Sequence, residues 1–490
     1  MSDIKNMVAF DCSNSSIRTI LGTYDGSKLQ METVLQRHND MVHVNDVYYW
    51  DIIGIYKAMT EGLAEAVRRV EKIDSIGVCT WGVDFALYTS EHFMLSNPLA
   101  YRNPFGAEIL DRYSEAEQSR FFEETGILCD KINSIYMLKA IQERFPSVIG
   151  ASRKLLMIPD ILNYMLTGVM QNEPSELSTS QLMDVAAGKI SESVCDYVGI
   201  DKDIFCKTGV HGAVIGRLLP HIAAQLDIDY DIPVICVPSH DTAAAVLAVP
   251  AEEKDFAFIS SGTWALIGSE EDAPVINGQV REAKLTNELG AFGKITLLRN
   301  NMGMFIVQRL KAELEEDISW EEFYRLSDVY SEDLTGNAAR QQKEVPHFDV
   351  NDQRFFNPDS MSDAIWTYFT DSGQVPKGSS KDFGLIIRSF LESLALSYRE
   401  NIEELEKIRG KEFSEIYIVG GGAKNHRLNR LTAQYTGKTV VTGSSESTSY
   451  GNLLAQVKYF EPDRTVEGLR EIMRNSIELE KFKSEGGTDR

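Results

Sequence analysis

The four residues Ser239-His240-Asp241-Thr242 place a carboxylate between two runs of mainly apolar residues. The run before them, Pro233–Pro238, is typical of a buried strand, and the alanine-rich run after them, Ala243–Ala248, favours a helix. An aspartate at such a strand end can accept a proton from a substrate hydroxyl, as in phosphoryl-transfer enzymes. The alternative is that Asp241 or Thr242 caps the helix and that the histidine is structural. A Ser-His-Asp hydrolase is excluded, because three consecutive residues of one turn cannot face one another.

The loop Asp11–Arg18 (DCSNSSIR) follows the apolar run MVAF and has an acid first, hydroxyls in the middle and an arginine last. Polar loops at strand ends expose backbone N–H groups that can hold phosphate. Asp11 would organise a Mg²⁺ ion and its waters, and Ser15, Ser16 and Arg18 would contact phosphoryl oxygens. The alternative is an ordinary polar turn.

Two later strand ends also carry small residues. In Ser260-Ser261-Gly262-Thr263 the glycine lets a ligand approach the backbone and the threonine supplies a hydroxyl; the alternative is a tight hairpin. Gly420-Gly421-Gly422 does not match the dinucleotide pattern G-x-G-x-x-G, because Ala-Lys-Asn follows. A backbone surface under a planar base and a strand-to-helix packing site therefore both stay open.

Two other segments suit a sugar. Trp81-Gly82-Val83-Asp84-Phe85 puts a glycine between an aromatic ring and an acid, although a turn with a packed tryptophan is the alternative. Asn300 precedes the predicted helix Met304–Leu314, which contains Gln308, and it could contact a sugar hydroxyl or cap that helix.

The predicted elements around these segments occur in the same order in both halves of the chain. Each half begins with a strand, a polar turn and a second strand. This repeat predicts two α/β domains of related layout with a boundary near residues 243–253, while the interval 311–381 stays unassigned. The main predicted strands are 17–24, 28–35, 75–80, 85–89, 255–260, 264–268, 415–419 and 438–442, and the main predicted helices are 52–70, 382–409, 425–435 and 447–460.

The 490 residues carry a formal net charge of −24 and no Lys/Arg-rich run, which excludes a general electrostatic grip on nucleic acid or on an anionic membrane. An anionic substrate would need a local site of backbone N–H groups, a metal or arginine. The six cysteines contain no C-x-x-C pair and form no disulfide framework. With no signal-type N-terminus and no long apolar stretch, a cytoplasmic protein is expected.

Taken together and in this order, these segments resemble the FGGY family of carbohydrate kinases, and within it the rhamnulokinase branch. The matching pieces are TWGVDFAL (80–87), AYRN (100–103), IPDILNYMLTG (158–168), SELSTSQLMDV (175–185), VPSHDTAAAV (237–246), ISSGTWALIGSE (259–270), LTNELGAFGKITLLRNNMG (285–303) and IVGGGAKNHRLNRL (418–431). The loop Asp11–Arg18 departs from the family pattern, because Ser13 and Ile17 stand where such kinases usually have glycine.

The resemblance implies two ribonuclease-H-like α/β domains of the actin/Hsp70/hexokinase type with the active site in the cleft between them. Residues 1–245 would hold the sugar and the phosphate loop, and residues 246–490 would hold ATP. The residues it implies are Asp241 as general base, Gly82, His240, Asp241, Thr242 and Asn300 on the sugar, Asn14, Ser15, Ser16, Ile17, Arg18, Thr263, Gln308 and Gly421 on ATP, and Asp11 with Mg²⁺.

The implied reaction is ATP-dependent phosphorylation of a ketose, with L-rhamnulose and its 1-phosphate as the expected pair. The alternatives are a kinase for another ketose, such as L-fuculose or xylulose, and a sugar-binding ATPase or regulator that phosphorylates nothing. The expected partners are small molecules only, and the chain is expected to be a monomer or a homodimer.

Overall fold

The computed structural model describes residues 4–314, 317–328 and 345–484. In chain order, strands β1–β19 of the described part are Lys5–Cys12, Ser16–Tyr24, Leu29–His38, Met41–Val44, Val47–Trp50, Ser75–Cys79, Phe85–Tyr88, Lys154–Met157, Met183–Asp184, Lys189–Ile190, Val214–Arg217, Pro233–Ile235, Phe256–Ser261, Trp264–Glu271, Thr286–Leu289, Ile295–Met302, Glu415–Val419, Thr439–Thr442 and Glu480–Phe482. Helices α1–α18 are Ile52–Val67, Phe105–Leu110, Glu115–Thr125, Ser134–Arg144, Pro146–Ala151, Ile158–Thr167, Pro174–Ser178, Glu192–Val198, Pro220–Gln225, Asp241–Leu247, Gly278–Glu282, Phe305–Ala312, Trp320–Arg325, Met361–Asp371, Phe383–Arg409, His426–Thr436, Ser447–Phe460 and Val466–Ser476.

The first large sheet has six strands in the order β11-β12-β6-β1-β2-β3. Strands β1 and β2 form the predicted antiparallel hairpin, while β6 runs parallel to both β1 and β12. Because parallel strands end at the same edge of a sheet, Asp11, Gly82 and Asp241 are brought to one edge.

The second large sheet has seven strands in the order β15-β16-β14-β13-β17-β18-β19. Here β13 and β14 form an antiparallel hairpin, and β17 runs parallel to both β13 and β18. The ends of β13 and β17 therefore place Thr263 and Gly421 at one edge of this sheet. Both sheets thus combine a hairpin with parallel strands beside its first strand, and the prediction of two α/β domains of related layout is confirmed.

The chain divides by its internal packing into two units, and each unit is discontinuous in sequence. Unit 1 comprises Met1–Lys254, Glu270–Leu298 and Glu446–Glu478, and unit 2 comprises Asp255–Ser269, Arg299–Ser445 and Leu479–Arg490. A single boundary at 245/246 is predicted from the sequence, which does not indicate that later segments return to unit 1.

Helix α17 supports the site edge of unit 1. It packs against α10 so closely that a Cβ atom on Gly451 would lie 1.9 Å from the carbonyl oxygen of Ala244. Its buried polar side chains bind the β1 backbone, since Gln456 Nε2 donates to the Val8 carbonyl at 3.1 Å. These contacts fix α10 and β1, which carry the two candidate acids, against one helix.

Most predicted elements are present with small changes of boundary. The strand predicted at 233–238 is shorter, and the helix after it begins two residues earlier than predicted, at Asp241. Part of the unassigned interval 311–381 forms α13 and α14, and part of it lies outside the described residues. None of the helices in the described ranges has the length and apolar composition needed to cross a membrane.

Candidate active site

The Asp241 carboxylate is accessible and does not cap a helix. His240 occupies the N-cap position of α10 and makes no side-chain cap bond, so the alternative that Asp241 or Thr242 is the cap is wrong. The Asp241 side chain is 41% exposed, and its Oδ1 accepts a hydrogen bond from Thr242 Oγ1 at 3.2 Å. Its backbone N–H donates to the Thr80 carbonyl at 2.9 Å, which attaches the start of α10 to the end of β6. The backbone that carries the carboxylate is therefore fixed, while the carboxylate itself is partly exposed to solvent.

The imidazole of His240 lies between two carboxylates. Its Nε2 is 3.4 Å from Asp241 Oδ1, and its Nδ1 is 3.3 Å from Glu288 Oε2; both are ion-pair contacts without hydrogen-bond alignment. Burial of the ring opposes protonation, but Glu288 above all, with Asp241 and Glu173, outweighs burial and raises the pKa of His240 to about 9. At neutral pH the ring is therefore an imidazolium beside the candidate base.

Gly82 lies against the same ring. A Cβ atom at position 82 would lie 3.2 Å from His240 Nε2 and 2.9 Å from Thr179 Cγ2, so the missing side chain makes room for the histidine. The structure thus brings Gly82, His240, Asp241 and Thr242 together, as the sequence analysis expected.

The neighbouring acid Asp84 belongs to the interior. Its Oδ2 accepts from Trp50 Nε1 at 2.6 Å and from Trp81 Nε1 at 2.9 Å, and burial raises the pKa of Asp84 to about 7. Trp81 is itself buried, so the alternative of a turn with a packed tryptophan is correct for this residue.

Asp11 is buried and held by two donors. Its Oδ2 accepts from Arg18 Nη2 at 2.7 Å and from Ser449 Oγ at 2.7 Å. The other terminal nitrogen of Arg18 pairs with Glu446. Burial raises the pKa of the Asp11 carboxyl above its ordinary value, and Arg18 and Ser449 oppose that rise. Arg18 therefore neutralises two acids in this structure, and its predicted contact with ATP stays a prediction.

The loop itself is a tight turn, in which the Ser13 N–H donates to the Ser16 carbonyl at 2.7 Å. Ser15 is exposed at the tip. Asn14 Nδ2 donates to the Tyr101 hydroxyl at 2.9 Å, which leaves the buried Asn14 Oδ1 without a hydrogen-bond donor among the described residues. The predicted turn is thus present, together with an unused acceptor that a bound ligand or cation could satisfy.

The side chain of Ile17 is buried in the core beneath the loop, so only its backbone could contact a nucleotide. This explains the departure from the family pattern in part, because an isoleucine that points inward does not obstruct the outer face of the loop.

The residues near this loop fit a Mg²⁺ ion that arrives with a nucleotide. The described residues contain no cluster of three His, Cys, Asp or Glu side chains able to hold a metal. Mg²⁺ does not need such a cluster, since it keeps several waters and binds through one or two protein oxygens plus phosphate. Asp11 and the unused Asn14 Oδ1 supply oxygens of this type, and the charge of Asp241 adds to the rise in the pKa of Asp11.

In unit 2, the tip of the β13–β14 hairpin is anchored to the start of α12. The Gly262 carbonyl accepts from the Met304 N–H at 2.8 Å, and the Thr263 carbonyl accepts from the Phe305 N–H at 3.2 Å. Thr263 and Gln308, the second of which lies one turn into α12, are both exposed. The structure thus places these two predicted ATP residues on neighbouring elements.

The three consecutive glycines have different roles. Gly420 has φ of +79°, and a Cβ atom on Gly422 would lie 2.0 Å from Ser261 Oγ, so both positions are explained by packing within unit 2. A Cβ atom on Gly421 would meet nothing within 4 Å. Internal packing therefore leaves Gly421 unexplained, and its exposed backbone is the part of the run that a ligand could approach.

Asn300 lies within β16 and is exposed. The N-cap of α12 is Met304, so the alternative that Asn300 caps this helix is wrong. Its predicted contact with a sugar stays a prediction.

Sequence reasoning missed Glu288, Ser449 and Glu446, which touch His240, Asp11 and Arg18. Glu288 lies inside the quoted segment 285–303, but a lone acid in a short strand gave no reason to single it out. Ser449 lies in the first turn of α17 and Glu446 directly precedes that helix, where the Ser/Thr-rich run indicated only a helix start.

Two family models match the chain. The model "FGGY family of carbohydrate kinases, N-terminal domain" matches residues 6–248, and the C-terminal domain model of the same family matches residues 257–459. The chain belongs to the FGGY family of carbohydrate kinases. It is therefore a phosphotransferase with an alcohol acceptor, and kinases of this family use ATP with Mg²⁺.

Curated relatives of this FGGY kinase match it over nearly their whole length. It is 33% identical over 474 residues to the rhamnulokinase of Oceanobacillus iheyensis, covering 96% of this chain and 97% of that protein. It is 34% identical over 480 residues to the rhamnulokinase of Bacteroides thetaiotaomicron, covering 98% and 96%.

Solved structures agree on the fold of this FGGY kinase. The gluconate kinase of Lactobacillus acidophilus matches with a TM-score of 0.81 at 14% identity, covering 98% of this chain and 94% of that chain. The xylulose kinase of the same organism matches with a TM-score of 0.80 at 15% identity, covering 98% and 94%. The predicted two-domain, ribonuclease-H-like fold is thereby confirmed.

Proposed function

We propose that this chain transfers the γ-phosphoryl group of ATP to O1 of L-rhamnulose and produces L-rhamnulose 1-phosphate and ADP. The support for the sugar comes from the relatives named rhamnulokinase, which align over at least 96% of both chains. The support for the chemistry comes from the residues at the edge of the first sheet.

One observation carries the proposal: the Asp241 carboxylate is 41% exposed and caps no helix. A carboxylate kept at a strand end without a capping role is available to accept a proton. The adjacent His240 imidazolium places a positive charge 3.4 Å from Asp241 Oδ1.

The proposed step transfers one proton and one phosphoryl group. The proton of the sugar O1–H moves to the Asp241 carboxylate as O1 forms a bond to the γ-phosphorus. The bond from the γ-phosphorus to the β,γ-bridging oxygen breaks, and its electron pair leaves with ADP. Gly82, His240, Thr242 and Asn300 would contact the sugar and orient O1 for this attack.

The anionic triphosphate would be held inside an acidic protein by local groups. The loop from Asn14 to Arg18 would offer backbone N–H groups, and Asp11 with Asn14 Oδ1 would hold Mg²⁺ near them. When bound, Mg²⁺ neutralises charge on the phosphate oxygens. Thr263, Gln308 and Gly421 of unit 2 would bind the nucleotide.

Other features complete the proposal. We place the boundary between the two family domains at 245/246, so that it separates the domain that would bind the sugar from the domain that would bind ATP. The enzyme would work in the cytoplasm, where ATP is available, and as a monomer or a homodimer.

A coupled ADP-release assay with L-rhamnulose, L-fuculose and xylulose side by side tests the proposal. We expect the highest kcat/KM with L-rhamnulose and a product phosphorylated at O1, identified by ³¹P NMR. A higher kcat/KM with another ketose would reject the assigned sugar. ADP release at one rate with and without every sugar would favour the ATPase alternative and reject the kinase.

A further inference from the structure

The backbone of His240 is anchored, and its ring is nearly buried. Its backbone N–H donates to Ser175 Oγ at 3.1 Å, and Ser175 Oγ donates to Glu173 Oε2 at 2.6 Å. Glu173 is buried and pairs with His211 Nε2. The absence of a side chain at Gly82 leaves the ring its space, and the ring itself is 12% exposed. His240 therefore has little freedom to turn away from its neighbours.

Glu288 is held as firmly on the other side of the ring. Its neighbour Asn287 is buried, and Asn287 Nδ2 donates to the Gly126 carbonyl at 3.0 Å. The next residue, Leu289, donates its N–H to Ser178 Oγ at 3.1 Å. Glu288 pairs in register with Thr296 of β16 and is 16% exposed. The backbone that carries this carboxylate is thus fixed beside the ring.

Because a carboxylate faces each ring nitrogen, the doubly protonated imidazolium is the form that satisfies both. The charged groups that face the ring are Glu288 from β15, Asp241 from α10 and Glu173 at the start of α7. The nearby Glu176 accepts a hydrogen bond from Thr80 Oγ1, and burial raises the pKa of Glu176 well above its ordinary value.

We propose that Glu288 is a positioning residue of the phosphoryl-transfer reaction, which holds His240 as an imidazolium beside Asp241 Oδ1. In this arrangement the imidazolium holds the Asp241 carboxylate in its orientation toward the sugar hydroxyl. Glu288 itself touches neither reacting atom and acts through the histidine. This inference rests on the proposed function, because it assigns Glu288 a part in the reaction of Asp241.

The substitution Glu288→Gln removes the charge that most favours the protonated ring and keeps the size of the side chain. An opposite charge at this distance changes a pKa by about 1–3. The midpoint of the histidine titration should therefore move from about pH 9 to a value lower by about one pH unit or more. For every pH unit by which this midpoint falls, activity should drop about tenfold at pH values above both midpoints and change little below them.

The first experiment measures kcat and kcat/KM from pH 6 to pH 10 for the wild type, Glu288→Gln and the control Glu282→Gln, using the best ketose of the panel. Glu282 is an exposed glutamate at the end of α11 and has no role in the site. We expect the ratio of Glu288→Gln to wild-type kcat to fall about tenfold or more toward high pH, while the control follows the wild type. A wild-type pH profile in Glu288→Gln would overturn the inference.

Two further variants guard against a purely structural effect. Glu288→Asp keeps the negative charge. Its loss of activity at high pH should therefore be intermediate between those of the wild type and Glu288→Gln. In a His240→Gln background, Glu288→Gln should have no additional effect, since the two residues act in series. Additive losses in the double variant would overturn the inference.

Titration of labelled histidines by NMR, with His240 assigned from the His240→Gln spectrum, is independent of any substrate. A wild-type His240 midpoint near pH 9 that falls in Glu288→Gln supports the charge coupling between Glu288 and His240, whether or not a ketose is phosphorylated. If no ketose is phosphorylated, the proposed function is rejected, and the part of Glu288 in that reaction is rejected with it. An unchanged midpoint would overturn the inference while the kinase activity stands.

Discussion

Gly421 and Gly422 predict opposite outcomes for the same substitution. A methyl group at position 422 would lie 2.0 Å from Ser261 Oγ and 2.5 Å from Ser261 Cβ, whereas at position 421 it would meet nothing within 4 Å. Gly422→Ala therefore forces neighbouring atoms to move. Gly421→Ala fills space on the exposed side of the backbone, where we place the nucleotide.

The two substitutions should change the free energy of unfolding and the KM for ATP by different amounts. Overpacking of the kind expected for Gly422→Ala typically lowers the free energy of unfolding by about 1–3 kcal/mol. Gly421→Ala should change that free energy by less than about 0.5 kcal/mol, as exposed substitutions usually do. If ATP contacts the Gly421 backbone, the added methyl should raise KM for ATP about tenfold, which corresponds to roughly 1.4 kcal/mol of binding free energy.

Differential scanning calorimetry and a coupled ADP-release assay over a range of ATP concentrations separate the two effects. We expect a Tm lower by several degrees for Gly422→Ala and a wild-type Tm with a raised KM for ATP in Gly421→Ala. An unchanged KM for ATP in a stable Gly421→Ala variant would refute the nucleotide contact. A wild-type Tm in Gly422→Ala would refute the packing argument.

Three further outcomes follow from the site. Asp84 has a pKa of about 7 in the fold, so the folded state keeps its proton longer than the unfolded state. Stability should therefore fall as pH rises from about 4 to 7, by on the order of 4 kcal/mol, and urea titrations of Asp84→Asn should lack this part of the pH dependence. Gly82→Ala places a methyl 3.2 Å from His240 Nε2, so KM for the ketose should rise while KM for ATP stays unchanged; equal changes in both would contradict the assignment. Chelation of divalent cations with EDTA should abolish turnover and added Mg²⁺ should restore it, whereas turnover in the chelated enzyme would exclude the role given to Asp11.

The elements that carry the site could be predicted because their signals are local. Apolar runs that stop at Asp11 and just before Ser239 marked the strand ends, and the hairpins on either side followed from short turns. Parallel pairing then brings these ends to one edge without any further information. This is why the candidate residues on β1, β6 and α10 could be assigned to one site.

The contacts that set the charge of the site depend on distant pairs. Ser449 reaches Asp11 across 438 positions in sequence, and Glu446 reaches Arg18 across 428. Nothing local to the phosphate loop indicated that carboxylates would occupy both ends of Arg18. The contact between Glu288 and His240 also could not be read from the local sequence, because it forms only where β15 lies beside the start of α10.

The sequence also could not show which residue caps α10. An aspartate at the start of a helix has the composition of an N-cap, and only the backbone shows that His240 holds the cap position while Asp241 is the first helical residue. The choice between cap and base thus required one residue of precision in the helix boundary, which composition does not provide.

The central claim is that Asp241 accepts the proton of the sugar hydroxyl, and Asp241→Asn tests it most directly against the control Asp229→Asn, an exposed aspartate outside the site. The measurement is kcat under saturating ATP and ketose, with Tm and Mg-ADP binding by calorimetry to confirm an intact fold and nucleotide site. Loss of the general base should lower kcat by about 10²- to 10⁴-fold while Tm and ADP affinity stay at wild-type values. A kcat within a few fold of the wild type in this folded, ADP-binding variant would contradict the account.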